Sequence, residues 1–219
     1  MPRPTHAVLF DLDGTLTDPF VGITGTLQHA IREMGHLPPP ADDLRRYIGP
    51  PIHKTFLAMF GDEVLATQAL GHYRQRYGEV GKFENELIPG IVEALETAAR
   101  QGQTMFVATS KLKSHAIDII DHFGLTRFFG HVHGSEADGT RADKGELIRY
   151  ILKTEGLDPA RTVMIGDRLH DVVGAAKNGM PAIGVLWGFG DRAELEAAGA
   201  ARVADQPAEL SGMIAELVG

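Results

Sequence analysis

The sequence predicts an α/β fold, a doubly wound parallel sheet interrupted by one all-helical insertion. Two observations carry this reading. Short apolar runs alternate with helical patterns over most of the 219 residues, and one stretch, residues 18–86, holds helical patterns and no convincing strand. Alternation of this kind implies βαβ units with helices on both faces of the sheet. The expected organisation is a core of residues 1–17 and 87–219 with a helical domain of residues 18–86 inserted after the first strand.

The strands are expected at 7–10, 104–109, 131–133, 162–165, 182–186 and 201–203. Between them, Ile91, Leu95, Ala98 and Ala99 recur at helical spacing and Gly102 closes the helix. Ala116, Ile117, Ile120 and Phe123 mark a second helix closed by Gly124, and Leu147, Ile148, Ile151 and Leu152 a third closed by Gly156. In the insertion, helices are expected at 21–34, 42–48, 52–60 and 62–77. Gly35 and Pro38-Pro39-Pro40 stop the first. Thr17-Asp18-Pro19 and Ile88-Pro89-Gly90 read as the two linkers.

Composition narrows the function. Hydrophobic residues make up 43% and charged residues 23%, enough for a core of normal size. The net charge of −8 argues against a broad nucleic-acid footprint or an anionic membrane partner. The absence of cysteine removes thiol catalysis, thiolate metal sites and disulfides. Met1-Pro2-Arg3-Pro4 leads directly into the first strand without a separate apolar segment, so a cytoplasmic enzyme is expected.

The chemistry gathers where strands end. His6-Ala7-Val8-Leu9-Phe10 runs into Asp11-Leu12-Asp13-Gly14-Thr15, placing two carboxylates two residues apart. Charges at the end of an apolar strand are costly unless a metal ion or a cation compensates them. The second strand leads to Thr109-Ser110-Lys111, the turn after the third to Lys144, and the fourth to Gly166-Asp167-Arg168-Leu169-His170-Asp171. Ligands of open α/β sheets bind outside the carboxyl ends of strands, so these groups would share one edge. Four carboxylates beside hydroxyls and lysines suit a hard divalent cation and an anionic substrate, and Mg²⁺ fits that donor set.

Asp11-Leu12-Asp13-Gly14-Thr15, Thr109, Lys144 and Gly166-Asp167-Arg168-Leu169-His170-Asp171 resemble, in order, the four motifs of the haloacid dehalogenase superfamily. The insertion resembles that family's first type of cap. The segments Gly184-Val185-Leu186-Trp187-Gly188-Phe189-Gly190 and Glu194-Leu195 look closest to its phosphoglycolate phosphatase-like branch. The resemblance implies a Mg²⁺-dependent phosphatase acting on a small phosphorylated metabolite through an aspartyl phosphate. Asp11 would be the nucleophile, and Asp13 general acid and then general base. Asp11, Asp13, Asp167 and Asp171 would hold the metal. Thr109, Ser110 and Lys144 would bind the phosphate.

Alternatives stay open within this reading. A 5'-nucleotidase and a sugar phosphatase are alternatives, and a phosphosugar mutase keeps Asp13, whereas a phosphonate hydrolase or a dehalogenase would be expected to lack it. A non-catalytic module would be expected to have lost a charged motif residue, and none is lost. Lys111 rivals Lys144, which is favoured by its place before the helix that precedes the last motif. Lys54 opens a helix after Gly49-Pro50-Pro51 and could meet substrate or simply face solvent. His170 could touch substrate or point to solvent. His131 and His133 alternate on one strand face, but with no third ligand nearby in sequence they read as satisfied strand-end histidines. Asp167, Asp171 and Thr109 could also act as helix caps.

Overall fold

The computed structural model describes residues 6–50 and 52–218. The lead Met1-Pro2-Arg3-Pro4 and Pro51 of the Gly49-Pro50-Pro51 turn lie outside them. The chain folds as two units, Met1–Thr17 with Leu87–Gly219, and Asp18–Glu86.

The first unit begins with β1 (Ala7–Phe10). The short segments β2 (Thr17–Asp18) and, after the helical unit, β3 (Glu86–Leu87) pair as a two-stranded sheet where the chain leaves and re-enters the core. In the helical unit lie α1 (Phe20–Glu33), α2 (Ala41–Leu44), α3 (Ile52–Phe60) and α4 (Glu63–Glu79). The core then continues with α5 (Ile91–Arg100), β4 (Thr104–Leu112), α6 (Lys113–His122), β5 (Phe129–Ser135) and α7 (Lys144–Glu155). It closes with β6 (Thr162–Gly166), α8 (Leu169–Lys177), β7 (Ala182–Val185), α9 (Arg192–Ala197), β8 (Arg202–Ala204) and α10 (Leu210–Val218).

Six strands form one parallel sheet in the order β5-β4-β1-β6-β7-β8. The chain moves outward from β1 through β4 to β5, then returns to the other side of β1. That reversal is the switch point at which open α/β sheets bind ligands, and it falls on the strand that ends at Asp11. β1 is apolar throughout because both its faces are covered. Val8 and Phe10 enter one layer with Ile91, Leu95, Ile119 and Leu210, and Ala7 and Leu9 enter the other with Leu147, Ile151 and Val172. Full burial of Leu9 and Phe10 contributes about 1.5–3 kcal/mol each.

The helical unit has its own small core, with Leu27, Ile31, Phe56, Tyr73 and Tyr77 buried. Tyr73 stacks on Tyr77 and meets Phe56 edge-on. Arg76 grips Glu84 through both oxygens at 2.9 and 3.1 Å and donates to Thr26 Oγ1 at 2.7 Å. Asp62 caps α4 by accepting from Leu65 N.

Several expectations need correction. The helix expected over 42–48 is α2 followed by a 3₁₀ turn, Arg45–Tyr47. Ile117 is 37% exposed on α6 rather than in its apolar stripe, and Phe123 lies just beyond that helix. The strand expected to end at 109 runs to Leu112, because β5 also lengthens to Ser135 and the two pair there. Ala108 pairs with His133 and Leu112 with Ser135, so β4 spends four residues where β5 spends two. Thr109, Ser110 and Lys111 therefore occupy a bulge, a device that re-aims side chains beside functional sites. Among the described residues, no helix is long and apolar enough to cross a membrane.

Candidate active site

Asp11 follows the last residue of β1, and its N–H donates to Ile165 O at 2.9 Å across the β1–β6 pair. The chain then winds into a tight turn in which the N–H groups of Thr15, Leu16 and Thr17 all donate to Leu12 O. Gly14 sits there at φ +80°. A Cβ at Gly14 would lie 2.2 Å from Asp167 Oδ2. Gly14→Ala therefore meets both left-handed backbone strain and a clash with a site carboxylate. It is expected to lower the melting temperature and to cut activity severely, which thermal unfolding and a turnover assay would check.

The last motif lies across the β1–β6 seam. Asp167 is buried and accepts from Phe189 N at 2.8 Å through Oδ2. Asp171 is the third residue of α8 and accepts from Arg168 N at 3.2 Å. A carboxylate in the first turn of a helix is favoured by the helix dipole. Gly166 makes room for it, since a Cβ there would lie 2.1 Å from Asp171 Cγ. Asp171 thus serves the α8 N-terminus as well as the cluster, whereas Asp167 caps no helix. Thr109 caps none either, since α6 begins at Lys113 after Leu112; its Oγ1 accepts from Lys111 N at 3.2 Å.

Lys144 is the first residue of α7 and is buried. Its ammonium lies 3.0 Å from Asp11 Oδ1 and 2.8 Å from Asp171 Oδ1 and donates to Ala108 O at 2.8 Å. A cation at a helix N-terminus opposes the helix dipole, and the two carboxylates offset that cost. Burial pushes its pKa down, but Asp11 and Asp171 outweigh burial and hold it charged. Lys111 is not a surface lysine: its Nζ lies 2.8 Å from Asp13 Oδ2, and its side chain is nearly buried. Both rival lysines stand at the site, each paired with a different carboxylate.

Ligand oxygens of Asp11, Asp167 and Asp171 lie within 4.8 Å of one another. Two ammonium groups face four carboxylates, leaving about two negative charges, the charge of one divalent cation. Like charges about 4 Å apart cost on the order of 4 kcal/mol per pair even at a generous effective dielectric. Asp13 Oδ1 and Asp167 Oδ1 are buried without a hydrogen-bond partner. Asp11 Oδ1 and Asp171 Oδ1 face the Lys144 ammonium at 3.0 and 2.8 Å. Buried hard oxygens with lone pairs to spare fit Mg²⁺.

The cluster's electrostatics point the same way. Burial raises Asp167 well above the usual carboxylate range, with Asp171 and Asp11 adding to it. Burial raises Asp171 to about 6 against the pull of Lys144. Burial also raises Asp13, with Lys111 opposing. A carboxyl raised on folding binds more protons folded than unfolded, so its contribution to stability falls as pH rises, for Asp171 from 3.8 to about 6. Mg²⁺ needs the ionised forms. Millimolar Mg²⁺ is therefore expected to raise the melting temperature more at about pH 7.5 than at about pH 5, and an equal or reversed shift in scanning fluorimetry would count against this site.

Three contributors escaped sequence reasoning. Trp187 Nε1 donates to Thr15 O at 3.0 Å and ties down the first turn. Glu194 Oε1 accepts from Arg168 Nε at 2.9 Å and Leu169 N at 2.8 Å, fixing the start of α8. The third is the Lys111–Asp13 pair. Trp187 and Glu194 stand out in sequence only as part of a branch resemblance. His170 is exposed at the start of α8, and Lys54 is exposed on α3 of the helical unit.

A family model described as haloacid dehalogenase-like hydrolase matches residues 8–185. A relative from Pseudomonas aeruginosa named 5'-nucleotidase is 47% identical over 191 residues, covering 87% of this chain and 86% of that protein. A phosphoglycolate phosphatase of Agrobacterium fabrum is 29% identical over 193 residues, covering 84% and 81%. The tyrosine-protein kinase PtkA of Mycobacterium tuberculosis is 39% identical over 183 residues, which cover 84% of this chain but only 62% of that longer protein. Among solved structures, a predicted phosphatase from Clostridium acetobutylicum superposes with a TM-score of 0.92 at 37% identity, covering 98% of this chain and 100% of that one.

Proposed function

The chain belongs to the haloacid dehalogenase-like hydrolases as a phosphatase of that family, and on that premise we propose that it is a Mg²⁺-dependent hydrolase of a small phosphate monoester working through an aspartyl phosphate. The observation that carries this reading is the convergence of Asp11, Asp167 and Asp171 around one point, with Lys144 bridging two of them. Asp11, Asp167 and Asp171, with the backbone carbonyl of Asp13, would hold the ion. When bound, Mg²⁺ supplies charge neutralisation and draws electron density from the phosphate oxygens.

The remaining steps belong to the chain's own groups. Asp11 attacks phosphorus, so an Asp11–phosphorus bond forms as the bond to the leaving oxygen breaks. Asp13, raised by burial, carries the proton that the leaving oxygen takes. It then takes a proton from water, whose oxygen attacks phosphorus and frees Asp11 and inorganic phosphate. Lys144 counters the charge gathering on Asp11 and the phosphate oxygens. The Thr109 hydroxyl and the Ser110 N–H, aimed from the β4 bulge, donate to those oxygens. We take residues 18–86, which form a unit of their own, as the cap domain that the family resemblance implies.

For the substrate, a nucleoside 5'-monophosphate is favoured over phosphoglycolate. The 47% relative carries a nucleotidase name, and the phosphoglycolate phosphatase stands at 29%. Inorganic phosphate release should be measured from a panel of nucleotides, phosphoglycolate and sugar phosphates, with and without Mg²⁺. A nucleoside monophosphate should give the highest kcat/KM, and only with the metal. No release from any phosphomonoester by a folded preparation would overturn the reading.

A further inference from the structure

We propose that His131, His133 and Glu155 form a second metal site, selective for a first-row transition cation of the Zn²⁺ type. Sequence reasoning set the two histidines aside for want of a third ligand, and the fold supplies one. His131 and His133 are two residues apart on β5, the edge strand of the sheet, and so share a face. Glu155 is the last residue of α7, which packs alongside. His131 Nδ1 and His133 Nε2 each lie 2.9 Å from the same oxygen, Glu155 Oε1. The three ligand atoms all fall within 4.8 Å of one another. Zinc bonds of about 2.0–2.2 Å to nitrogen and oxygen place tetrahedral ligand atoms roughly 3.3 Å apart. Small rotations of these side chains would therefore close them on one ion.

The surroundings suit a resident cation open to exchange. The side chains of His133 and Glu155 are 7% and 13% exposed, whereas that of His131 is 67% exposed, so the cluster is anchored inside and reached from outside. It borders a cleft of about 490 Å³ lined also by Lys113, Ile117, Asp121 and Tyr150. That cleft leaves space for the water or further ligand a three-ligand site keeps. Phe106 packs against both imidazoles and Tyr150 meets His133 edge-on, which holds the rings in orientation. Lys113 also lines the cleft and opposes a cation there, against which the Glu155 carboxylate acts. Two imidazoles and one carboxylate favour zinc-like ions over Mg²⁺. This donor set is chemically distinct from the all-carboxylate cluster. The two sites are joined by α7, whose first residue is Lys144 and whose last is Glu155, about 16 Å away along the helix.

The test is equilibrium dialysis of the full chain against micromolar Zn²⁺ with excess Mg²⁺ present, with bound zinc measured directly. The Asp167→Asn chain, in which the carboxylate cluster is disabled, should keep its bound zinc. His131→Ala, a change at an exposed side chain that should leave folding and Mg²⁺-dependent turnover intact, should lose it. Glu155→Gln should weaken it at least about tenfold. Co²⁺ in place of Zn²⁺ should give visible absorption in the parent chain that His131→Ala abolishes. Zinc binding that vanishes with Asp167→Asn and survives His131→Ala, or no zinc binding by the parent chain, would overturn the proposal.

Discussion

Asp11→Asn is expected to cut phosphate release by at least about a thousandfold while leaving the fold in place. The amide is nearly isosteric, so the turn built on Leu12 O and the Asp11 N–H bond to Ile165 O both survive. What is lost is an ionised oxygen able to bond to phosphorus. The substitution also takes one negative charge out of a crowded cluster. Coulombic repulsion from Asp11 is among the forces that raise Asp13, Asp167 and Asp171. The variant without Mg²⁺ should therefore melt at or above the temperature of the parent chain. Assaying phosphate release beside the melting temperature separates lost chemistry from lost structure. A variant that keeps a tenth or so of the parent rate would remove Asp11 from the role of nucleophile.

Lys144→Met should be damaging in both respects. It removes the one buried cation shared by Asp11 and Asp171, leaving both carboxylates in the interior without it. Breaking a buried pair from one side costs on the order of 3–5 kcal/mol. The sign of its pH dependence follows from the cluster. Without the lysine the carboxyls rise further, so they bind more protons folded than unfolded and stability recovers as pH falls. The deficit should be smaller at about pH 5 than at about pH 8, and Mg²⁺ should restore part of it. Denaturant unfolding at the two pH values would read this directly, with turnover falling alongside. A variant as stable as the parent at the higher pH in the absence of Mg²⁺ would mean that the lysine does not neutralise the cluster. Lys111→Met is expected to cost less, because its partner Asp13 is more exposed than Asp171.

The strands that carry the site were legible because strands buried on both faces read as unbroken apolar runs, as Ala7-Val8-Leu9-Phe10 does. Their ends were legible because acidic residues stand out against such runs. The two-residue strands β2 and β3 were not, since two residues carry no periodicity. α10 could have been found: Leu210, Ile214 and Val218 recur every fourth residue and are all buried. The order of motifs favoured Lys144 over Lys111, but sequence could not show that both lysines stand at the site. The bulge after Ala108 brings one to Asp13, and the start of α7 brings the other to Asp11 and Asp171. Glu155 was invisible as a partner of His131 and His133 because more than twenty residues separate them and only the packing of α7 on β5 joins them.

Rapid acid quench of the chain during turnover with a phosphate-labelled nucleotide and Mg²⁺, followed by peptide mapping, tests the central claim most directly. Phosphate should be recovered on the peptide bearing Asp11, as an acyl phosphate that hydroxylamine releases, and it should be absent when Mg²⁺ is withheld. Label on another residue, or steady turnover with no labelled protein at any quench time, would contradict the account.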